Sequence, residues 1–286
     1  MTSHPVVLVT GATGRVGRLV VTGLLRGGAH VRALVRSPQA SPLPPQVEIT
    51  QGDLHDAATV TKAADGADAA FLLWPGFSAA GAAPVVEALT GQVRHLVYLS
   101  AARLQRDEHG PMPGVWSDIE ELIDRTPGTR TFVRSGGFAA NTLEWAEQIR
   151  AGDVVTMPFP DAGRSLVHEQ DLADVAVRAL LDPRHAGRAP VATGPQTLTC
   201  HDQVRIIGEV LGRPLRVRAQ PAEQAREELT RWMGALVAEQ SLAYWSGLVD
   251  EPERVTTDIE QVTGHPARSY AAWVRDHAST FGAASS

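Results

Sequence analysis

Val6-Val7-Leu8-Val9-Thr10-Gly11-Ala12-Thr13-Gly14-Arg15-Val16-Gly17 carries an apolar, strand-like run straight into a Gly-x-x-Gly-x-x-Gly turn. The residues after it, Arg15 to Arg26, have the apolar spacing of an amphipathic helix. Glycines so spaced let the backbone turn sharply, approach a pyrophosphate and pack the helix closely on the strand. The helix N-terminus then offers unbonded N–H groups and a positive dipole end to the phosphates. Glycine is common in any turn, so the pattern counts because a strand precedes it and a helix follows.

Outward from this turn, strand and helix signals alternate. Strands are expected at 6–10, 31–35, 47–51, 69–73, 95–100 and 129–133, with helices at 15–26, 56–64, 84–90 and 116–125. The segment 37–46, with four prolines, is a loop. Such alternation implies parallel pairing with right-handed crossovers, an α/β fold with a doubly wound parallel sheet of the Rossmann kind. After about residue 150 the rhythm loosens: short strands at 154–157 and 165–167, a helix at 171–181 with Asp171 as N-cap, then helices at 200–211, 223–237, 252–262 and 267–281. The expected organisation is a dinucleotide-binding domain over 1–152, with 165–195 packing onto it, and a smaller, mostly helical substrate-binding lobe over 196–286 that caps the carboxyl ends of the strands. The last residues, 282–286, are expected to fray.

Bulk properties narrow the function classes. The chain has 286 residues, 43% of them hydrophobic, enough for a sizeable core. Its net charge of −6 contains no block of like charge, which argues against a nucleic-acid surface. Cys200, the single cysteine, excludes an internal disulfide or thiolate cluster. No His-Glu-x-x-His or comparable pattern appears, so no metal is expected. Residues 1–5 lack a secretory signal pattern. The uncharged run Ala69–Val86 holds Pro75, Gly76, Gly81 and Pro84, and reads as strand, loop and helix start rather than a membrane span. A soluble, cytoplasmic protein is expected.

The end of the second strand selects the dinucleotide. An acidic residue there would bond the ribose hydroxyls of NAD, whereas this chain has Val35-Arg36-Ser37. Arg36 is a five-donor fork suited to a 2′-phosphate, and Ser37 adds a hydroxyl. Arg15, inside the glycine turn, supplies further positive charge. NADP(H) is therefore expected over NAD(H). Asp53 either accepts from the adenine amino group or caps the helix near Asp56.

Read in order, Thr10–Gly17, Ala33-Leu34-Val35-Arg36, Gly52-Asp53-Leu54, Phe71-Leu72-Leu73-Trp74-Pro75, Val97-Tyr98-Leu99-Ser100 and Phe132–Asn141 make the sequence resemble the NmrA-like group of atypical short-chain dehydrogenase/reductases. Ser165–Asp171 and Ala192–Pro195 extend the likeness, which covers roughly residues 5–215. That group includes NADPH:quinone reductases, ketone reductases of aromatic polyketide pathways and NADP-sensing regulators. The resemblance implies cofactor contacts at Gly11, Thr13, Gly14, Arg15, Val16, Arg36, Asp53 and Leu54, with Leu73, Trp74 and Pro75 passing near the ribose and nicotinamide. It places Ser100 beside the nicotinamide, and Gly137, Phe138 and Asn141 along the substrate side.

One expected feature is missing. Short-chain reductases commonly use a Tyr-x-x-x-Lys pair, in which the tyrosine protonates the new alkoxide. Here the only lysine is Lys62, four residues after Ala58, and Tyr98, Tyr244 and Tyr270 precede Ala102, Leu248 and Val274 at that spacing. Trp116 or Ser117 stands near where the lysine would be. A proton must still be managed at the acceptor. Three arrangements remain open: a quinone or hydroxyaryl ketone that carries its own charge, polarisation by Ser100, or binding of NADP(H) without turnover. Ser100 reads equally as a hydrogen-bond donor and as a small spacer. His168 reads as a loop-ordering residue before a helix rather than a general acid, and His109 as part of a polar loop, 105–113. Trp74, Phe77, Trp116, Phe138 and Trp145 either line an aromatic pocket or pack in the core. The reading is an NADPH-dependent reductase of an aromatic ketone or quinone; the alternative is a non-catalytic NADP(H) sensor.

Overall fold

In the computed structural model, which describes residues 4–38, 42–104 and 110–282, seven parallel strands form one sheet. Its elements are β1 (Val6–Val9), α1 (Arg15–Arg26), β2 (His30–Val35), β3 (Glu48–Gln51), α2 (Ala57–Ala64), β4 (Ala69–Leu72), α3 (Ala82–Thr90), β5 (His95–Ala101), α4 (Val115–Asp124) and β6 (Thr129–Ser135). A 3₁₀ segment (Ala139–Trp145), α5 (Ala146–Ala151), β7 (Val154–Met157), α6 (Glu169–Leu181) and β8 (Val191–Ala192) follow. The strand order is β3-β2-β1-β4-β5-β6-β8, so the chain reverses direction across the sheet between β1 and β4. In open α/β sheets that switch point is where ligands bind.

Alternation along the buried strands builds two layers. Val7, Val9, Val97 and Leu99 pack under α1 and α6, with Val20, Leu24, Leu172 and Ala176. Leu8, Leu72, Leu96 and Tyr98 point to the other face, against Val60, Val86, Ile119 and Ile123 of α2, α3 and α4. The run Ala69–Val86 is thus a strand, a loop and the start of a helix. No helix among the described residues is long and apolar enough to cross a membrane.

The remaining elements, α7 (Cys200–Leu211), β9 (Arg216–Ala219), α8 (Ala222–Met233), α9 (Ala235–Asp250), α10 (Asp258–Thr263) and α11 (Tyr270–Asp276), follow in chain order. A third core joins α5, α7 and α11, with Trp145, Ile149, Val204, Ile207, Trp273 and Phe281.

Several expectations for the second half need correction. Residues 165–167 form no strand: Val167 makes an isolated bridge with Phe138, and Arg164, just before them, makes one with Leu198. β7 forms but pairs with β9, an unexpected strand outside the main sheet. The helix expected over 223–237 breaks at Gly234, whose φ of +83° lies in the left-handed region and separates α8 from α9. Only Asp258–Thr263 of the segment 252–262 is helical, because Glu253 and Arg254 donate their backbone N–H groups to Gly163 and Leu104. His168, not Asp171, caps α6: its Nδ1 accepts from Gln170 N–H at 3.1 Å. Asp171 instead lies fully buried in the first turn, accepting from the backbone N–H of Arg268 at 2.8 Å.

Two histidines tie stability to pH. Thr131 Oγ1 donates to the His185 carbonyl at 2.8 Å, so its oxygen accepts from His95 Nε2 at 3.0 Å. Burial holds both imidazoles below their ordinary value of 6.5. The unfolded chain therefore takes up protons first as pH falls, and the stability these neutral rings contribute is present above pH 6.5 and lost below it. Thermal melts should show Tm dropping between about pH 7.5 and 5.5, with a shallower drop in His95→Gln. An identical drop in that variant would show that other groups carry the dependence.

Candidate active site

At the switch point, Thr10 Oγ1 donates to the Phe71 carbonyl at 3.1 Å and accepts from Leu73 N–H at 2.9 Å. One buried hydroxyl thus ties the end of β1 to the end of β4 and lays Leu73 beside the glycine turn. Gly11 has φ +63°, and a Cβ there would sit 3.3 Å from Leu73 Cβ. A Cβ on Gly17 would lie 2.0 Å from the Gly11 carbonyl oxygen, a backbone overlap that no side-chain motion relieves. The glycines therefore close the turn onto the first turn of α1. Gly14 is its N-cap and has no side chain to bond the free N–H groups. Gly11, Thr13, Gly14 and Arg15 are exposed, while Val16 is buried beneath them. This is a bare helix N-terminus with one cationic side chain, suited to a pyrophosphate.

Arg36 and Ser37 are exposed immediately beyond β2, and no carboxylate among the described residues pairs with the Arg36 guanidinium. A 2′-phosphate would find that fork unspent. Asp53 is exposed, and its Oδ1 accepts from His55 N–H at 2.9 Å, holding the turn after β3; Asp56 is the cap of α2. Leu54 packs against the second core layer. Glu144, on the 3₁₀ segment, lies within electrostatic range of Arg15. Partial burial pushes its carboxyl up, and the Arg15 guanidinium works against that shift.

The five aromatic side chains are spread over several packing layers. Trp74 is buried in the second core layer, its Nε1 donating to the Ser78 carbonyl and its ring edge-on to His55. Trp116 packs on the same layer, and Trp145 lies in the third core. Phe138 bridges the first and third cores where sheet meets lobe. Pro75 and Asn141 are exposed. Phe77 is exposed and meets Trp232 of α8 edge-to-face. His109 lies outside the described residues.

Ser100, 2% exposed near the end of β5, follows the alternation that turns Leu96 and Tyr98 toward α4. Its carbonyl accepts from Ser135 Oγ, but its own Oγ has no hydrogen-bond partner among the described residues. An unpaired buried hydroxyl costs about 1–3 kcal/mol unless a ligand atom satisfies it. No tyrosine–lysine pair stands nearby. Lys62 is exposed in the last turn of α2. Tyr98 is buried in the core, and Tyr270 is stacked on Trp273. Tyr244 donates to Glu253 at 2.8 Å, and burial, reinforced by that carboxylate, pushes its phenol well up. His168 is spent as a cap and reaches Asp276 at 3.2 Å.

Sequence reading missed two ion pairs. Arg134, opposite Ser100 in the β5–β6 register, forms a two-pronged pair with Glu120 at 3.0 and 2.6 Å that clamps α4 to the sheet. An arginine inside an apolar strand was the available signal. Gly137 abuts Arg164: a Cβ there would meet the guanidinium at 2.3 Å. Arg164 in turn faces Glu253, 89 positions on, with no local signal.

The parallel sheet, its switch point and the glycine turn define a doubly wound, dinucleotide-type α/β fold. The profile of the NmrA-like family matches residues 3–270, and the chain belongs to that family. It is 35% identical to a (4-alkanoyl-5-oxo-2,5-dihydrofuran-3-yl)methyl phosphate reductase of Streptomyces griseus subsp. griseus, across 96% of this chain and 99% of that one. It is 31% identical to the NAD(P)H azoreductase of Xenophilus azovorans, across 97% and 100%. Its fold superimposes on the NADP(H) complex of Citrobacter sp. triphenylmethane reductase with a TM-score of 0.80, at 22% identity and 95% and 99% coverage. The bare N-terminus of α1 and the exposed Arg36 fork suit a 2′-phosphorylated dinucleotide.

Proposed function

We propose that the chain reduces a small, electron-poor conjugated acceptor, a quinone or an aromatic or unsaturated ketone, with NADPH. The observation that carries this is the buried, unpartnered Ser100 hydroxyl in a site without a tyrosine–lysine pair. When bound, NADPH supplies a hydride. The glycine turn and Arg36 hold its phosphates, the Thr10 clamp keeps Leu73 against the turn, and Ser100 donates to the acceptor oxygen as negative charge develops there. One neutral donor stabilises limited charge, so acceptors that delocalise it are favoured. The substrates named for the two curated relatives, an unsaturated furanone and azo compounds, are conjugated in this way and support the reading.

Loss of NADPH absorbance with a panel of quinones, hydroxyaryl ketones and unsaturated lactones tests it. Turnover is expected with at least one acceptor, and Ser100→Ala should lower kcat by about 10²-fold. Tight NADPH binding with no turnover on any would leave a sensor as the better account. An unchanged kcat in the variant would place the stabilisation in the substrate.

A further inference from the structure

We propose that Arg164 is a specificity-determining residue that holds an anionic group, a phosphate monoester or a carboxylate, on the substrate of this same reductase site. The inference rests on the reductase reading for what occupies the rest of the crevice. Arg164 lies where the sheet meets the lobe. Its guanidinium covers Gly137, just past the carboxyl end of β6, and its backbone bridges to Leu198.

The plain alternative is that Arg164 only neutralises buried Glu253. The hydrogen bonds argue against that. Glu253 Oε2 accepts from Ser165 N–H at 2.8 Å and Ser165 Oγ at 3.2 Å, and Oε1 accepts from Tyr244 at 2.8 Å. Arg164 Nε stands 3.5 Å from Oε1 and, though buried, makes no hydrogen bond. Three donors therefore satisfy the carboxylate, which in turn orients the guanidinium while leaving its fork unspent. That planar fork matches two oxygens of a phosphate or carboxylate.

Position agrees. Arg103 and Arg254 line one cavity of about 250 Å³ beside Leu104, whose side chain abuts Gly136. Arg103 and Arg164 both act on the Tyr244 phenol. This wall is not where the dinucleotide phosphates lie: they belong to β1 and β2, whereas Arg164 lies past β6, three strands beyond β1. At the usual strand spacing this is about 14 Å, past the Ser100 position on β5.

Calorimetric titration of the NADP⁺-saturated protein with phenyl phosphate, benzoate and benzyl alcohol tests the site without requiring turnover. Phenyl phosphate should bind at least ~10-fold more tightly than benzyl alcohol. Benzoate grouping with phenyl phosphate assigns a general anion site, and benzoate grouping with benzyl alcohol assigns a phosphate site. Arg164→Gln should remove the preference while NADP⁺ affinity stays within about twofold. Arg164→Lys, which keeps charge but not the fork, should retain part of it and serves if the glutamine variant does not fold. Equal binding of phenyl phosphate and benzyl alcohol by the unmodified protein, or an undiminished preference in Arg164→Gln, overturns the proposal. Failure of NADP⁺ to bind would instead sink the reductase reading; the Arg164 dependence is then read on the free protein.

Discussion

Arg36→Ala should weaken NADPH binding by about 30- to 150-fold and leave NADH within about twofold. Charge-assisted hydrogen bonds contribute about 1.5–3 kcal/mol each, and two from one fork to a 2′-phosphate, partly offset by solvation, leave about 2–3 kcal/mol. The guanidinium stands exposed beyond β2, with no carboxylate among the described residues paired with it. NADH lacks the phosphate and has nothing to lose. Fluorescence titration of both nucleotides reads the ratio. An equal loss for both would mean that Arg36 supports the cradle as a whole and does not discriminate.

Gly17→Ala should produce the other large effect: binding of both nucleotides falls more than ~100-fold, and unfolding free energy drops by about 3 kcal/mol. The added Cβ would sit 2.0 Å from the Gly11 carbonyl oxygen and 2.6 Å from its carbon. Since both obstacles are backbone, relief requires the turn to open and α1 to lift from β1, which disorders the N–H groups that meet the pyrophosphate. Denaturant melts and NADPH titration together test this. A variant that melts and binds normally would show that the turn has slack the geometry does not reveal.

The two experiments probe different links. Gly17 acts through the path of the chain, and so affects folding and binding together. Arg36 acts only through its side chain, so binding should change while the melt does not.

Much of the first half was legible because its signals are local. β1, α1 and the strands and helices through β6 appear within a residue or two of their expected bounds, since apolar runs and helical spacing are set by neighbours in the chain. The glycine turn and Arg36 were legible for the same reason. The second half was harder. β8 has two residues and β9 reads Arg-Val-Arg-Ala, too short and too charged to announce a strand. The cap of α6 fell to His168 because its Nδ1 reached Gln170 N–H, while Asp171 was drawn into a buried contact with Arg268.

The amino-acid order alone determined the parallel sheet, the glycine turn, the base at the end of β2 and the absence of a tyrosine–lysine pair, because each depends on residue types at short spacing. Tertiary structure decided which side chains share the crevice. It sent Trp74 and Trp116 into the second core layer, left Ser100 buried without a partner, and set Arg164 over Gly137 beside a carboxylate already satisfied by Ser165 and Tyr244. Those contacts join residues up to 89 positions apart, and only packing of distant segments on one another brings them within reach.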